Sequence, residues 1–240
     1  MISKTLSMIA ALALLFGPSG ASAEEEVGDN KNHELNVSLG VFNQQIAHSG
    51  YDAFSASDWM PMFSIGLEFE PFDDFFVAAS YLHGYSSASI FLDADGTLSH
   101  EGWELRVKKG FQLLSWLRPY AAISGTYSWY GVEVVRSSGS TLTQEDGFLS
   151  GHFGGRGGLG AEFMVPRKVL ADSGIGSVIP GFTFGVAVEA GYALRQLFDM
   201  GAVDGSAGYG GVDGIRPSRV DLGEVDLSGW YWSLDFRALF

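Results

Sequence analysis

The sequence predicts an all-β fold, a closed antiparallel up-and-down transmembrane β-barrel of about eight strands. Three observations predict it. Period-2 alternation recurs in eight separate stretches of the 240 residues. Almost every charge within those stretches lies on the face opposite the large apolar side chains. Past the first 23 residues, no apolar run reaches the roughly 18 residues that a membrane helix requires.

The N-terminal segment sets the organisation. Lys4 is followed by an apolar run from Met8 to Phe16, and Ala21-Ser22-Ala23 supplies small residues ahead of Glu24. That is the order of a cleavable secretory signal peptide, residues 1–23. Residues 24–33 read as a short periplasmic tail and 34–240 as the barrel domain. Without its leader the chain keeps 13 of its 14 basic side chains against 28 acidic ones, a net charge of −15. Such a balance argues against nucleic acid as a partner. The absence of cysteine excludes both a disulfide framework and a lipidated N-terminus.

The elements follow in order. Leu35, Val37, Leu39 and Val41 alternate with Asn36, Ser38 and Gly40, and Phe63, Ile65, Leu67 and Phe69 with Ser64, Gly66, Glu68 and Glu70. Pro71-Phe72-Asp73-Asp74 makes a tight turn into Phe75, Val77, Ala79 and Tyr81. Trp103, Leu105 and Val107 oppose Glu104, Arg106 and Lys108, and a short turn near 112–118 leads to Ala121, Ile123, Gly125, Tyr127 and Trp129. Phe153, Leu159, Ala161, Phe163 and Val165 mark the sixth strand, and Phe182 to Leu194 the seventh. The chain stops on Gly-Trp-Tyr-Trp-Ser-Leu-Asp-Phe-Arg-Ala-Leu-Phe, residues 229–240, whose even positions are bulky and apolar and whose odd ones include Asp235 and Arg237. The strand count is eight, or ten if residues 196–227 contain a further hairpin.

A soluble sandwich also alternates, but it has no reason to sort its aromatics by end. Laid antiparallel, the strands gather Tyr81, Trp103, Tyr127, Trp129, Tyr192, Trp230 and Trp232 at one rim and Phe69, Phe75, Phe163, Phe182 and Phe240 at the other. Trp and Tyr favour a membrane–water interface, and aromatic girdles flank the apolar band of a transmembrane barrel. Connections also alternate: those at 71–74 and 112–118 are short, those at 43–60, 84–100, 133–150 and 196–227 long. The connection at 166–180 is longer than this rule predicts.

With these features in place, the chain resembles the small bacterial outer-membrane β-barrel proteins, the group of the OmpA membrane domain, OmpX and OmpW-type barrels. The resemblance is architectural and covers nearly all of the chain after residue 33. It implies location in the cell outer membrane, with outer-membrane lipid and lipopolysaccharide as surroundings, and a monomer. It also implies recognition of Phe236 and Phe240 as an assembly signal by the barrel-insertion machinery.

The inward face is expected to carry a charge network of Glu68, Glu70, Glu104, Glu162, Glu189 and Asp235 against Arg106, Lys108, Arg156, Arg195 and Arg237. Six acids nearly balance five bases, which suggests mutual pairing in a plugged lumen rather than the single-sign rings of an ion-selective pore. Glycines 154, 158, 160, 185 and 191 make room for the long side chains. The remaining acidity falls on the long loops, at Asp52, Asp58, Asp93, Asp95, Asp146, Asp199, Asp204, Asp213 and Asp226, and reads as a solvated surface.

Catalytic chemistry is weakly indicated. His83, Ser86, Ser87, His100 and Glu101 contain the residue types of a hydrolase, but His83 and Ser86 are three apart and face opposite sides of an extended strand. Asp93-Ala94-Asp95-Gly96 reads as a hairpin turn before it reads as a metal loop. The glycines around His152 and Arg156 lack the Gly-Lys-Ser/Thr of a phosphate loop. No cofactor or metal is expected. The expectation is a structural or surface-interaction role, with a narrow pore or OmpW-like conduit as the alternative and a lipid A-modifying enzyme behind both.

Overall fold

The computed structural model describes residues 35–91, 94–136, 141–143, 151–165, 169–170, 183–199, 202–203, 220–221 and 223–239. The signal-peptide segment, residues 24–33, most of 166–180, Phe182, the glycine-rich stretch around 204–214, Asp93, Asp146, Asp204, Asp213 and Phe240 lie outside them.

Eight long strands form one sheet: β1 Leu35–Gln45, β2 Trp59–Phe72, β3 Phe75–Phe91, β4 Ala94–Gly110, β5 Leu117–Arg136, β6 His152–Met164, β7 Thr183–Arg195 and β8 Gly229–Leu239. Each pairs antiparallel with the next. The sheet closes because β8 returns to β1, from Asn36 opposite Leu239 to Gln44 opposite Tyr231. Closure gives each of the eight barrel strands a neighbour on both sides, the requirement for backbone in a medium that offers no hydrogen bonds.

Parity sets the two surfaces. On the outside stand Leu39, Ile65, Leu67, Leu105, Leu159 and Phe236, more than half of each side chain exposed. On the inside the same strands bury Glu68, Glu104, Arg106, Lys108, Arg156, Glu162, Glu189, Asp235 and Arg237. The girdle aromatics are on the outer wall, where neighbours touch: Tyr81 with Trp103 at 5.3 Å between ring centroids, Tyr127 with Trp129 at 4.9 Å, and Tyr192 with Trp230 at 5.5 Å. Phe236 joins the outer face at 60% exposure.

The two ends differ. At the turn end, β2 and β3 are joined through 73–74, and β4 and β5 through 111–116. At the loop end the strands run further than the composition suggests. β3 and β4 continue as a ribbon to Phe91 opposite Ala94, so Asp95 and Gly96 pair with Ser89 and Ala88 inside the ladder instead of forming the turn. A register irregularity lies between Ser89 and Phe91, beyond which Phe91 still pairs with Ala94. β5 follows the ribbon to Arg136, and Thr141–Thr143 pairs back on it. Residues 198–225 do contain a hairpin, in which Phe198–Asp199 pairs with Glu224–Val225 and Ala202–Val203 with Val220–Asp221. These short ladders stand apart from the barrel sheet, which keeps eight strands.

Gly158 and Gly160 of β6 and Gly191 of β7 face tyrosine side chains. A Cβ at Gly160 would collide with the Tyr120 ring and the Val188 carbonyl, and one at Gly158 with the Tyr231 hydroxyl. By contrast, a Cβ at Gly125 would meet nothing within 4 Å. Gly160→Val is therefore expected to destabilise the folded barrel by about 2 kcal/mol through overpacking, while Gly125→Ala leaves the urea midpoint in lipid vesicles unchanged. Equal midpoints for the two variants would contradict the tight seating of Tyr120.

Candidate functional site

Among the described residues the strands converge charged and polar groups in the interior, which divides into storeys. Nearest the turn end, Lys108 Nζ lies 2.9 Å from Glu68 Oε1 and 2.5 Å from Glu162 Oε1. Arg237 reaches the same two carboxylates, at 3.0 Å for Glu68 and closely for Glu162. Arg118 Nε is 3.0 Å from the other oxygen of Glu162. Asn36 donates its amide to Glu68 at 3.2 Å. Three cations thus share two carboxylates, with Asp74 at the margin 3.9 Å from Arg118. Phe76 and Tyr120 present ring faces to these cations, Lys108 lying 4.2 Å from the Phe76 centroid and Arg118 4.7 Å.

The second storey is acidic in balance. Glu104 Oε1 accepts from Arg106 Nε at 2.8 Å and from Arg156 Nη2 at 2.7 Å, and Arg106 Nη1 reaches Glu189 at 3.4 Å. Tyr231 donates its hydroxyl to Glu189 at 2.7 Å, and Asp235 accepts from Ser64 and Ser233 at 3.3 and 3.2 Å. Arg156 Nε and Nη1 have no hydrogen-bond acceptor among the described residues. Its guanidinium instead lies over the rings of Phe42 at 4.5 Å and Tyr231 at 5.1 Å. Above it Arg195 donates to Thr126 and Ser128, and Ser128 also meets His100 Nε2 at 3.0 Å.

The top storey is apolar. Ile46, Tyr51, Phe54, Met60, Leu98, Tyr130, Val132, Phe198, Val225 and Leu227 form one buried cluster inside the loop end. A short 3₁₀ turn, Ser49–Ala53, delivers Tyr51 and Phe54 to it. His48 caps that turn by accepting the Gly50 N–H on Nδ1 at 3.2 Å, and the Ile46 N–H bonds to Asp58 at 2.6 Å, folding the loop inward. Burial pushes the Tyr51 phenol above its ordinary pKa. Gln44 ties this loop end to the last connection by donating to the Leu227 carbonyl.

Several predicted positions are placed differently from the sequence reading. Glu70 sits half-buried at the turn-end margin, where its Oε1 accepts the Asp74 N–H at 2.7 Å. Arg118, expected in a turn, is the cation the sequence reading omits. It shares parity with Ser124, Thr126 and Ser128, and the signal was available by continuing the fifth strand back through Pro119. The glycines make room chiefly for Tyr120 and Tyr231. The lumen is salted only towards the turn end, since inward Phe42, Met60, Met62, Leu82 and Leu98 are also buried.

The hydrolase residues do not assemble. His83 points outward and pairs with Glu101 at 3.7 Å, both side chains more than a third exposed, whereas Ser86 and His100 are buried inside. Among the described residues no three His, Cys, Asp or Glu side chains are grouped to hold a metal ion. A cavity of about 10 Å³ lies between Asn36, Arg118, Glu162, Met164, Arg237 and Leu239 at the turn end. That volume holds about one water molecule.

Fold and interior together define a class: a closed eight-stranded antiparallel barrel of the small outer-membrane type. No protein-family model matches the chain, and no curated protein is similar to it in sequence. Solved structures are similar in fold. The outer membrane protein OprG from Pseudomonas aeruginosa has a TM-score of 0.50 at 13% identity, covering 87% of this chain and 96% of its own. Ail, the attachment invasion locus protein of Yersinia pestis, has a TM-score of 0.45 at 12% identity, covering 87% and 99%. Neisserial surface protein A has 0.45 at 16%, covering 86% and 97%. At these identities the likeness concerns the fold alone.

The turn-end storey generates a stability prediction. Glu162→Gln leaves Lys108 and Arg237 to share Glu68 and takes from Arg118 its close carboxylate, and removing one partner of a buried ion network costs about 3 kcal/mol. A urea midpoint lowered accordingly is expected, with partial recovery in Glu162→Gln/Lys108→Met. A loss below about 1 kcal/mol, the value of an exposed pair, would mean that water screens these charges.

Proposed function

We propose that the chain is an outer-membrane protein that crosses lipid as a non-conducting barrel and acts as a structural or surface-interaction element, presenting its loop end outside the cell. The observation that carries this reading is the occupied lumen. Lys108, at 1% exposure, is surrounded by carboxylates, guanidinia and rings, and the route above it meets the apolar cluster around Tyr51 and Phe54. An ion crossing here would have to displace paired charges and then enter a dry layer.

Membrane residence is supported by the outward apolar band with its girdle, which nothing among the described residues covers. The leader read in residues 1–23 supports export, and Phe236, outward on β8, fits recognition by the barrel-insertion machinery. Lipid and lipopolysaccharide are then the immediate partners, and the barrel functions as a monomer. Asp52, Asp58, Asp95, Asp199 and Asp226 lie at the loop end, so the outside surface carries the acidity. Catalysis has no support in the geometry, because His83 and Ser86 are on opposite sides of the wall.

Two experiments test this reading. Refolded protein in planar bilayers is expected to give no unitary conductance steps at physiological salt, whereas steady steps would replace the plug with a pore. Expression in a Gram-negative host is expected to leave the lipid A mass spectrum unchanged. A mass shift that His83→Ala abolishes would establish an enzyme instead.

A further inference from the structure

The β4–β5 turn has an unusual composition for a turn between strands. From Gly110 to Leu117 the chain reads Gly-Phe-Gln-Leu-Leu-Ser-Trp-Leu, without a charge between Lys109 and Arg118. Phe111, Leu113, Leu114 and Trp116 are all more than 40% exposed, Leu113 reaching 65%. The neighbouring turn at 71–74 carries Asp73 and Asp74, as a water-facing turn should.

Two further observations indicate what covers this surface. Trp116 stacks on Phe163 with ring centroids 6.3 Å apart and planes at 23°, and Phe163 belongs to the outer apolar wall at 42% exposure. The apolar turn is therefore continuous with the band that faces lipid. The turn also uses its own backbone polar groups. Phe111 N–H donates to Pro119 at 2.9 Å, Leu113 and Leu114 to the Leu117 carbonyl at 3.2 and 3.1 Å, and Leu117 to Leu114 at 3.1 Å. Met164 N–H takes the Trp116 carbonyl at 2.9 Å, and the Gln112 side-chain amide donates to the Leu114 carbonyl. These bonds satisfy much of the turn's backbone internally, which lowers the cost of lodging it among lipid chains.

We propose that residues 110–117 form a membrane-interface anchor that inserts between the phospholipids of the periplasmic leaflet. The charged flanks fit this position. Lys109 turns its ammonium to the Asp73 carbonyl at 2.9 Å, at the neighbouring acidic turn, and Arg118 turns into the lumen. Neither cation faces the acyl chains beside the turn. Among the described residues the anchor lies on the β4–β5 side of the rim, so it makes the barrel's hydrophobic boundary lower on that side than at the acidic turn. The barrel accommodates this by sitting tilted in the bilayer.

This inference rests on membrane residence, and its test separates the two. The chain has no cysteine, so single-cysteine variants carry a nitroxide at one defined place. The full chain is refolded into phosphatidylethanolamine/phosphatidylglycerol vesicles with the label at Leu113→Cys, Leu114→Cys, Leu105→Cys or Ala56→Cys. Collision with oxygen is then compared with collision with a water-soluble nickel chelate. Leu105, on the outer wall, reports lipid, and Ala56, in the exposed loop, reports water. Leu113 and Leu114 are expected to show at least a threefold preference for oxygen over nickel relative to Ala56. A water-like value at both turn positions with a lipid-like Leu105 would overturn the anchor and leave the turn to a periplasmic protein. A water-like Leu105 would overturn the membrane barrel itself.

Discussion

Closure of the sheet is the constraint from which the rest follows. The ladder between β1 and β8 lets every strand spend its backbone groups on a neighbour, so the outer wall can be apolar without exposing an edge. Once the sheet is closed, strict period 2 commits every second residue to a narrow interior. Eight strands make a bore just wide enough to be filled by side chains. The function of the inside is thus limited by packing before any particular residue is chosen.

Within that bore the charges are organised to be mutually satisfied. Burying an ion costs several kcal/mol unless its partners are close and numerous. Here Glu162 meets Lys108, Arg118 and Arg237, and Glu104 meets Arg106 and Arg156. The cation-rich storey lies beside the acid-rich one, with Tyr120 and Tyr231 set on the glycines of β6 and β7. The rings fill space that charge alone would leave wet. Glu189 shows the coupling, since it takes both Arg106 and the Tyr231 hydroxyl.

What could be read from the sequence followed from this periodicity. The eight strands, the inward charges from Glu68 to Arg237 and the outward girdle residues each sit where one parity is apolar and the other is not. The apolar storey was illegible for the same reason. In Trp59-Met60-Pro61-Met62-Phe63 both parities are apolar, so alternation gives no direction. Ile46, Tyr51, Phe54, Phe198, Val225 and Leu227 come from loop segments whose inward course no local pattern encodes. The Asp95-Gly96 pair signalled the β3–β4 hairpin but not its tip, since the cross-strand pairing runs on to Phe91 and Ala94. Arg118 was concealed by Pro119, which reads as a turn residue but here sits inside β5, two residues past its start at Leu117.

The vertical order of the interior also has a consequence for assembly. A chain that reaches its membrane through water must not expose strands that are apolar on both faces, because such strands pair with one another. The charged storeys lie behind the outer apolar wall, so β2, β4, β6, β7 and β8 each carry ions opposite their outward apolar side chains. Inward apolar residues at the loop end are completed by side chains from the loops. Burial of Tyr51, Phe54 and Phe198 together therefore depends on the loops between β1 and β2 and between β7 and β8 meeting over one mouth. The cap is in this sense a product of closure, and its packing favours the closed barrel over any open sheet of the same strands.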